Sequence, residues 1–283
     1  MQSEPSEAPS ALFEADAAEP LMLRRPCPPD FAGLVTDIVG YREGGQRLDA
    51  SVEMASLVVP LVISFGGAFE IGLGRAPTPD DRFASFTSGL FPGHVLINSD
   101  GAAECIQVNF TPTGARRFFG LPMHEISRRM VSLDELGDSR IGALRRRLGD
   151  ERSWPRRLDL VIDFVRTRLT GNPTSDTAVR WAYERLLRTD GKIRIARLAS
   201  DIGWSRKHLV ERFRDEIGLG PKSVARIARF NAALALARQG GEGWADIAAA
   251  CGYADQAHLA REFREFSGVT PAAASLGHPA AAR

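Results

Sequence analysis

The fold of the C-terminal part is decided by residues 247–271, which read IAAACGYADQAHLAREFREFSGVTP. An earlier stretch, residues 198–221, reads LASDIGWSRKHLVERFRDEIGLGP and carries the same features in the same order. The first part of the repeat has an offset of 49 residues and matches Leu198-Ala199 with Ile247-Ala248 and Gly203-Trp204 with Gly252-Tyr253. The second part has an offset of 50 residues and matches His208-Leu209, Phe213, Gly218 and Pro221 with His258-Leu259, Phe263, Gly268 and Pro271. Two copies are too few for a solenoid, so the repeat indicates a paired motif.

Each copy has the residues of a short helix, a tight turn and a second helix. Gly203 and Gly252 suit a left-handed helix stop, because glycine adopts positive φ without a Cβ penalty. Ser205 and Asp255 suit the N-cap of the helix that follows. The apolar side chains of these following helices fall on one stripe, with Leu209, Phe213 and Ile217 in the first copy and Leu259, Phe263 and Phe266 in the second. The pattern predicts two helix-turn-helix units.

The stretch between the two copies predicts one linker helix. Gly218 and Gly268 end the second helices, and Pro221 and Pro271 suit the first position of a following helix. From Pro221 to Arg238, apolar residues recur at helical spacing, and at about 1.5 Å per residue this segment spans about 27 Å. A rigid spacer of that order suits two recognition helices in successive major grooves, which lie about 34 Å apart on one face of B-DNA.

Together these features resemble the AraC/XylS family of bacterial transcription regulators, over about the last 100 residues of the chain. The second copy is similar to the family signature almost throughout, whereas the first departs more and carries Trp204 where an aromatic residue is expected. The resemblance implies a sequence-specific regulator that binds double-stranded DNA. Its base-reading positions match Arg206, Lys207, Val210 and Glu211 in the first copy and Gln256, Ala257, His258 and Arg261 in the second, and Arg214 lies on the same outward face.

The side chains at these positions have the chemistry of base recognition. Arg206 and Lys207 could donate to guanine O6 and N7, and Gln256 could pair with adenine. Glu211 could accept from cytosine N4, and Val210 could touch a thymine methyl group. Arg214 and Arg261 are alternatively phosphate contacts, which add affinity but little sequence information.

A plainer alternative exists for every one of these residues, because exposed charges on a helix usually form a solvated face. For His208 and His258, helix packing or a phosphate contact is the interpretation we favour over base reading. A carboxylate near phosphates is costly unless a base donor or an arginine offsets it, so Glu211 is the weakest of the candidates.

The N-terminal half predicts strands and then helices. Residues 31 to 110 contain β-branched and aromatic runs between Gly- and Pro-rich breaks, which indicates an all-β core. We predict a hairpin in which His94–Asn98 pairs with Cys105–Phe110 across an Asp-Gly turn. Apolar residues then recur at steps of three and four, which predicts two amphipathic helices: Ile141, Leu144 and Leu148 in one, and Leu158, Val161, Ile162, Val165 and Leu169 in the other.

The predicted architecture is α+β, with a β-rich cupin-like barrel and flanking helices before an all-α domain of two helix-turn-helix motifs. The turn formers at Thr170–Asp176 mark the boundary, and Asp176 suits the cap of the next helix. We expect an acidic disordered tail at 1–20, a sensor or dimerisation domain at 21–170, the DNA-binding domain at 171–276 and a second tail at 277–283. The family analogy suggests the barrel but carries no residue of the N-terminal part with it.

The composition is that of an ordinary globular protein: 44% of residues are hydrophobic and 25% are charged, and the net charge of +1 hides a local excess of basic residues in the C-terminal part. No apolar run is long enough to cross a bilayer. The three cysteines, Cys27, Cys105 and Cys251, are far apart and offer neither a disulfide framework nor a CxxC motif, so we expect a reducing, cytoplasmic location. The acidic start is the reverse of a signal peptide.

We expect no metal and no cofactor, and we expect no enzymatic activity. A metal-binding cupin needs clustered histidines, and the N-terminal half has only His94 and His124. Gly72-Leu-Gly74 lacks the rest of a dinucleotide-binding loop, so a turn between strands is the better interpretation. Basic clusters at Arg116-Arg117, Arg128-Arg129 and Arg145–Arg147 could bind an acidic effector or form solvated helix faces.

The sequence leaves three hypotheses about function open. The first is an effector-responsive regulator, with a small molecule as ligand, a homodimer as the functional state and RNA polymerase as a partner if it activates transcription. The second is a cupin-like small-molecule-binding protein or enzyme with a helical appendage. The third is a DNA-binding protein that answers to a protein partner or to its own dimer equilibrium rather than to a small molecule.

Overall fold

The computed structural model describes residues 19–172 and 176–275. The predicted tails at 1–20 and 277–283 therefore lie almost wholly outside the described residues. The strands are β1 (Leu21–Arg25), β2 (Val35–Arg42), β3 (Leu48–Glu53), β4 (Val59–Ser64), β5 (Phe69–Leu73), β6 (Arg82–Phe83), β7 (Phe86–Ser88), β8 (Val95–Ser99), β9 (Glu104–Phe110) and β10 (Met130–Ser132). The helices are α1 (Pro112–Phe119), α2 (Ser139–Asp150), α3 (Trp154–Gly171), α4 (Thr177–Arg188), α5 (Ile195–Asp201), α6 (Arg206–Ile217), α7 (Pro221–Gln239), α8 (Trp244–Ala250), α9 (Gln256–Ser267) and α10 (Pro271–Ser275).

The strands form two antiparallel sheets. One has six strands in the order β1-β2-β9-β4-β7-β10, and the other has four in the order β3-β8-β5-β6. The two sheets share a small apolar core to which Val62 and Phe86 contribute from the first sheet and Phe69 and Ile71 from the second. The other face of the six-stranded sheet packs against α1 and α3. The predicted α+β class, strands first and a helical C-terminal part after them, is confirmed.

The predicted hairpin between β8 and β9 is wrong. Strand β8 pairs with β3 and β5, whereas β9 pairs with β2 and β4, so the two strands belong to different sheets. Gly101 does adopt the positive φ, +87°, that an Asp-Gly turn supplies. However, Gly45 donates a backbone hydrogen bond to Gly101 at 3.0 Å, and the Glu43 carboxylate accepts from Ala103 at 2.8 Å. These long-range partners make the turn a corner between sheets.

The two predicted amphipathic helices exist as α2 and α3, and the residues on their apolar stripes are buried. The predicted cap at Asp176 is also confirmed, because its side chain accepts hydrogen bonds from the amides of Ala178 and Val179. The division into two domains at this point stays a prediction. One continuous cluster of buried side chains contains residues from both halves, such as Met123 and Phe213.

Candidate nucleic-acid interface

The first helix-turn-helix unit consists of α5, the turn Ile202–Ser205 and α6. Gly203 has a φ of +72°, and no atom lies within 4 Å of the place that a Cβ would take, so backbone conformation alone requires glycine there. The amide of Trp204 donates to the carbonyl of Ala199 at 2.9 Å, and the Ser205 hydroxyl accepts from the amide of His208 at 3.1 Å. These bonds set the angle between the two helices.

The second unit, α8 with α9, repeats this geometry. Gly252 has a φ of +74°, and the amide of Tyr253 donates to the carbonyl of Ala248 at 2.9 Å. The Asp255 carboxylate accepts from the amide of His258 at 2.6 Å. The same hydrogen bonds therefore occur at matched positions, and the sequence repeat is a repeat of structure. The inward stripes predicted for α6 and α9 are fully buried, as expected for helices fixed by their apolar faces.

The outward faces of α6 and α9 carry the residues that the sequence predicts to contact DNA. Exposed side chains are those of Arg206, Lys207, Glu211 and Arg214 on α6 and of Gln256, Ala257 and Arg261 on α9; Val210 and His258 are half-buried. Each set is brought together on one helix. As DNA contacts, all nine residues stay predictions.

Two of these side chains have neighbours that bear on their roles. Lys207 Nζ lies 3.9 Å from Glu211 Oε1, which gives this carboxylate a cationic neighbour one turn away. The His258 ring meets Tyr253 edge to face at 5.3 Å, and its Nε2 lies 3.5 Å from Glu262 Oε1. This environment favours helix packing for His258, the alternative already preferred from the sequence.

A buried carboxylate holds each recognition helix in place. On α9, Glu262 accepts a hydrogen bond from Arg226 of α7 at 2.6 Å, and Arg226 also reaches Glu265 at 2.5 Å. Partial burial lowers the pKa of Arg226, but the hydrogen bonds to Glu265 and Glu262 outweigh this and raise it. Burial also raises the pKa of the neighbouring Tyr253 hydroxyl. The guanidinium thus stays charged and fixes α9 on the linker helix.

On α6 the buried carboxylate is Glu216, which is 5% exposed. Arg212 and Arg116 each place a guanidinium nitrogen 3.7 Å from its Oε1, and the amide of Asp176 donates to its Oε2 at 3.3 Å. Glu216 and Glu262 do not stand at matched positions of the repeat. Sequence reasoning missed both, because each carboxylate is buried beside an arginine of another helix, Arg116 of α1 for Glu216 and Arg226 of α7 for Glu262, and no local pattern marks such a pair.

Additional basic residues flank the recognition helices. A cleft of about 560 Å³ between α7, α9 and the start of α5 is lined by the basic residues Lys192, Arg194, Lys222, Arg226 and Arg229, together with His258 and Glu262 of α9. A second cleft of about 580 Å³ contains Lys222 again, beside Arg206, Val210 and Arg214. Sequence reasoning did not nominate Lys192, Arg194 or Lys222. Only their positions could have indicated a role at the interface, because Lys192 and Arg194 stand just before α5 and Lys222 is the second residue of α7.

The second cleft also receives His124, Ser127 and Arg128 from the N-terminal half. His124 Nδ1 lies 3.1 Å from Asp215 Oδ1 of α6. The N-terminal half therefore contacts the C-terminal part of the first recognition helix. Within residues 19–172 and 176–275, no group of three or more His, Cys, Asp or Glu side chains is arranged to hold a metal ion. The described helices include none that is long and apolar enough to cross a membrane.

Comparison with known proteins identifies the C-terminal region. Residues 198–275 match a family model described as a helix-turn-helix domain. No curated protein is similar enough to count as a match. Among solved structures, the C-terminal domain of AraT, a response regulator from Geobacillus stearothermophilus, is 19% identical and covers 37% of this chain and 88% of its own, with a TM-score of 0.35.

Two further solved structures are similar to parts of the chain. A DNA-binding transcriptional dual regulator from Escherichia coli K-12 is 22% identical and covers 40% of this chain and 99% of its own, with a TM-score of 0.34. ToxT from Vibrio cholerae O395 is 10% identical and covers 86% of this chain and 97% of its own, with a TM-score of 0.42.

Proposed function

We propose a mode of DNA binding that rests on two premises. Residues 198–275 form an AraC-type helix-turn-helix domain, and the protein is a DNA-binding transcriptional regulator. In this mode α6 and α9 enter successive major grooves on one face of the duplex. The observation that carries the proposal is the repeated turn geometry, with matching amide bonds from Trp204 and Tyr253, because it gives both units the same construction. The basic clefts beside α5 and α7 would lie against phosphates.

The binding mode is tested by selecting preferred sequences from a pool of random duplexes with the full chain. We expect two half-sites separated by about 10 base pairs, since the two helices would read successive turns of one duplex. Binding measured by fluorescence anisotropy should weaken steeply with added salt, because phosphate contacts release counterions. A single short site, or binding that ignores salt, would contradict the proposal.

Replacing Arg206 or Arg261 by Ala should each weaken binding to the selected duplex by about 1–3 kcal/mol, the range for a specific base contact. Arg156→Ala is the matched control, because Arg156 is an exposed arginine of α3 that the proposal keeps off the DNA. Anisotropy titrations at one fixed salt concentration compare the three variants. Equal DNA affinities of Arg206→Ala, Arg261→Ala and Arg156→Ala would show that α6 and α9 do not contact the DNA.

The two units should differ in what they contribute. The second unit is nearly the full family signature, whereas the outward face of α6 combines Lys207, Val210 and Glu211. We therefore expect α9 to anchor and α6 to set most of the base preference. Repeated sequence selection should show a larger change of preferred bases for Lys207→Ala and Glu211→Ala than for Gln256→Ala and Arg261→Ala. The reverse order would refute this division.

Control by the N-terminal half is part of the same proposal. The contacts of His124, Ser127 and Arg128 with the cleft beside α6 support it, since a change in the N-terminal half would reach a recognition helix directly. We propose that a small molecule or self-association drives such a change, that the functional state is a homodimer and that the protein acts in the cytoplasm. If it activates transcription, RNA polymerase is a further partner.

A further inference from the structure

A cavity of about 310 Å³ lies between the two sheets. Its walls are mainly apolar, with Val62 and Phe86 from one sheet and Ile71 and Ile97 from the other among the residues that form them. A cavity of this size and character is typical of sites for small molecules. The DNA-binding helices contribute no side chain to it.

The buried and half-buried polar side chains of the cavity are two uncharged amides and the hydroxyl of Ser88, and the Ser56 hydroxyl at its edge is exposed. Gln107 Nε2 donates to Asn109 Oδ1 at 2.8 Å, and this pair keeps further donor and acceptor capacity because each amide has both kinds of atom. Ser88 also lines the wall. Among the described residues that line the cavity, Glu53 is the one with an ionisable side chain, and it is exposed. A buried anion would find no cation there, and burying an unpaired charge is costly.

The rim of the cavity touches the end of the second recognition helix. Ala55, which lines the cavity, donates its amide to the carbonyl of Phe266 in α9 at 2.8 Å. His94, next to the lining residue Gly93, donates its amide to the carbonyl of Glu265 at 3.3 Å. A Cβ at Gly268, the residue that ends α9, would lie 3.1 Å from the His94 ring.

The same rim reaches the first recognition helix through one intermediate turn. Gly89, another lining residue, donates its amide to the carbonyl of Ile126 at 2.9 Å, and a Cβ at Gly89 would lie 2.7 Å from Ser127 Cα. Ser127 in turn packs on Gly218, the residue that ends α6, where a Cβ would collide with the serine Oγ. The segment from Gly89 to His94 is therefore connected to the ends of both recognition helices.

We propose that the cavity binds a small, uncharged, mainly apolar molecule with one polar group for the Gln107–Asn109 pair, and that the 89–94 segment conveys its presence to α6 and α9. This inference rests on the proposed control by the N-terminal half and names the ligand class and the route of that control. A bound molecule packs against the rim, restricts its motion and so stabilises the hydrogen bonds of Ala55 and His94 to α9.

The ligand class is tested with two probes of equal shape, naphthalene-2-carboxamide and naphthalene-2-carboxylate, titrated into the full chain and followed by saturation-transfer NMR. We expect the neutral amide to bind about tenfold or more tightly than the anion, because the cavity offers no cation. Gln107→Leu should weaken binding of the amide by a similar factor of about ten, since a hydrogen-bond partner is lost. Gln239→Leu, the same change at an exposed site, should bind like the native chain.

The route is tested by amide hydrogen exchange with and without saturating naphthalene-2-carboxamide. Exchange at Ala55 and His94 should slow by about tenfold, because opening of these hydrogen bonds becomes rarer. The amide of Glu151, which bonds to the carbonyl of Arg147 at the end of α2, should exchange at an unchanged rate, because neither residue lines the cavity. Ile97→Trp, which fills the cavity, should give the slowed rates without any probe.

Neither measurement involves DNA, so the inference and the proposed binding mode fail separately. Equal binding of amide and carboxylate, or no saturation transfer from either probe, overturns the ligand class. Binding of the amide with unchanged exchange at Ala55 and His94 overturns the route. Loss of two-site DNA recognition, with both results above obtained, would instead overturn the binding mode alone.

Discussion

Replacing Phe263 by Ala should lower the free energy of unfolding by about 3–5 kcal/mol, the range for deleting a large aromatic side chain from a packed core. Phe263 is fully buried in α9, and its ring lies 5.3 Å from the ring of Phe230 in α7 and 5.3 Å from that of Trp244 in α8. This one side chain therefore joins the second recognition helix to both helices that position it.

Urea denaturation of the full chain, followed by circular dichroism, measures the loss. Phe263→Leu should cost less than Phe263→Ala because it leaves a smaller cavity. Trp181→Ala serves as the control: Trp181 is a large aromatic residue that is 37% exposed, and its replacement should change stability far less. A loss for Phe263→Ala no greater than that for Trp181→Ala would mean that α9 is not seated as described.

The second large effect is expected at Gly191, in the turn between α4 and α5. Gly191 has a φ of +70°, and a Cβ there would lie 2.1 Å from the carbonyl oxygen of Ala225 in α7. Gly191→Ala combines a left-handed backbone, which costs about 1–2 kcal/mol for a residue with a Cβ, with a collision against backbone that cannot rotate away. Overpacking of this kind adds about 1–3 kcal/mol.

Gly203→Ala is the matched control, because Gly203 has nearly the same φ, +72°, and open space around it. Its loss of stability should contain the backbone contribution alone. The difference between the two variants in urea denaturation then measures how closely the α4–α5 turn packs on α7. Identical losses would show that this turn stands away from the linker helix.

The features predicted correctly from the sequence are local ones. The caps at Ser205 and Asp255, the left-handed glycines at 203 and 252 and the inward stripes of α6 and α9 each depend on residues within about one or two turns of helix. The AraC-type resemblance rests on the same local spacing and is confirmed for residues 198–275. The candidate base contacts are grouped on the expected faces, and their roles remain predictions.

What the sequence by itself determined is thus the construction of each helix-turn-helix unit, because capping, turn chemistry and helical periodicity act over a few residues. The tertiary structure alone decided that β8 and β9 belong to different sheets. Glu43 and Gly45, which lie about 60 residues earlier in the chain, form hydrogen bonds with the turn between these two strands. It also decided that Glu216 and Glu262 are buried beside arginines of other helices, and that one cavity rim meets the ends of both recognition helices. These arrangements depend on contacts between distant segments, whose energies are set by packing and charge pairing in the folded chain rather than by any local pattern.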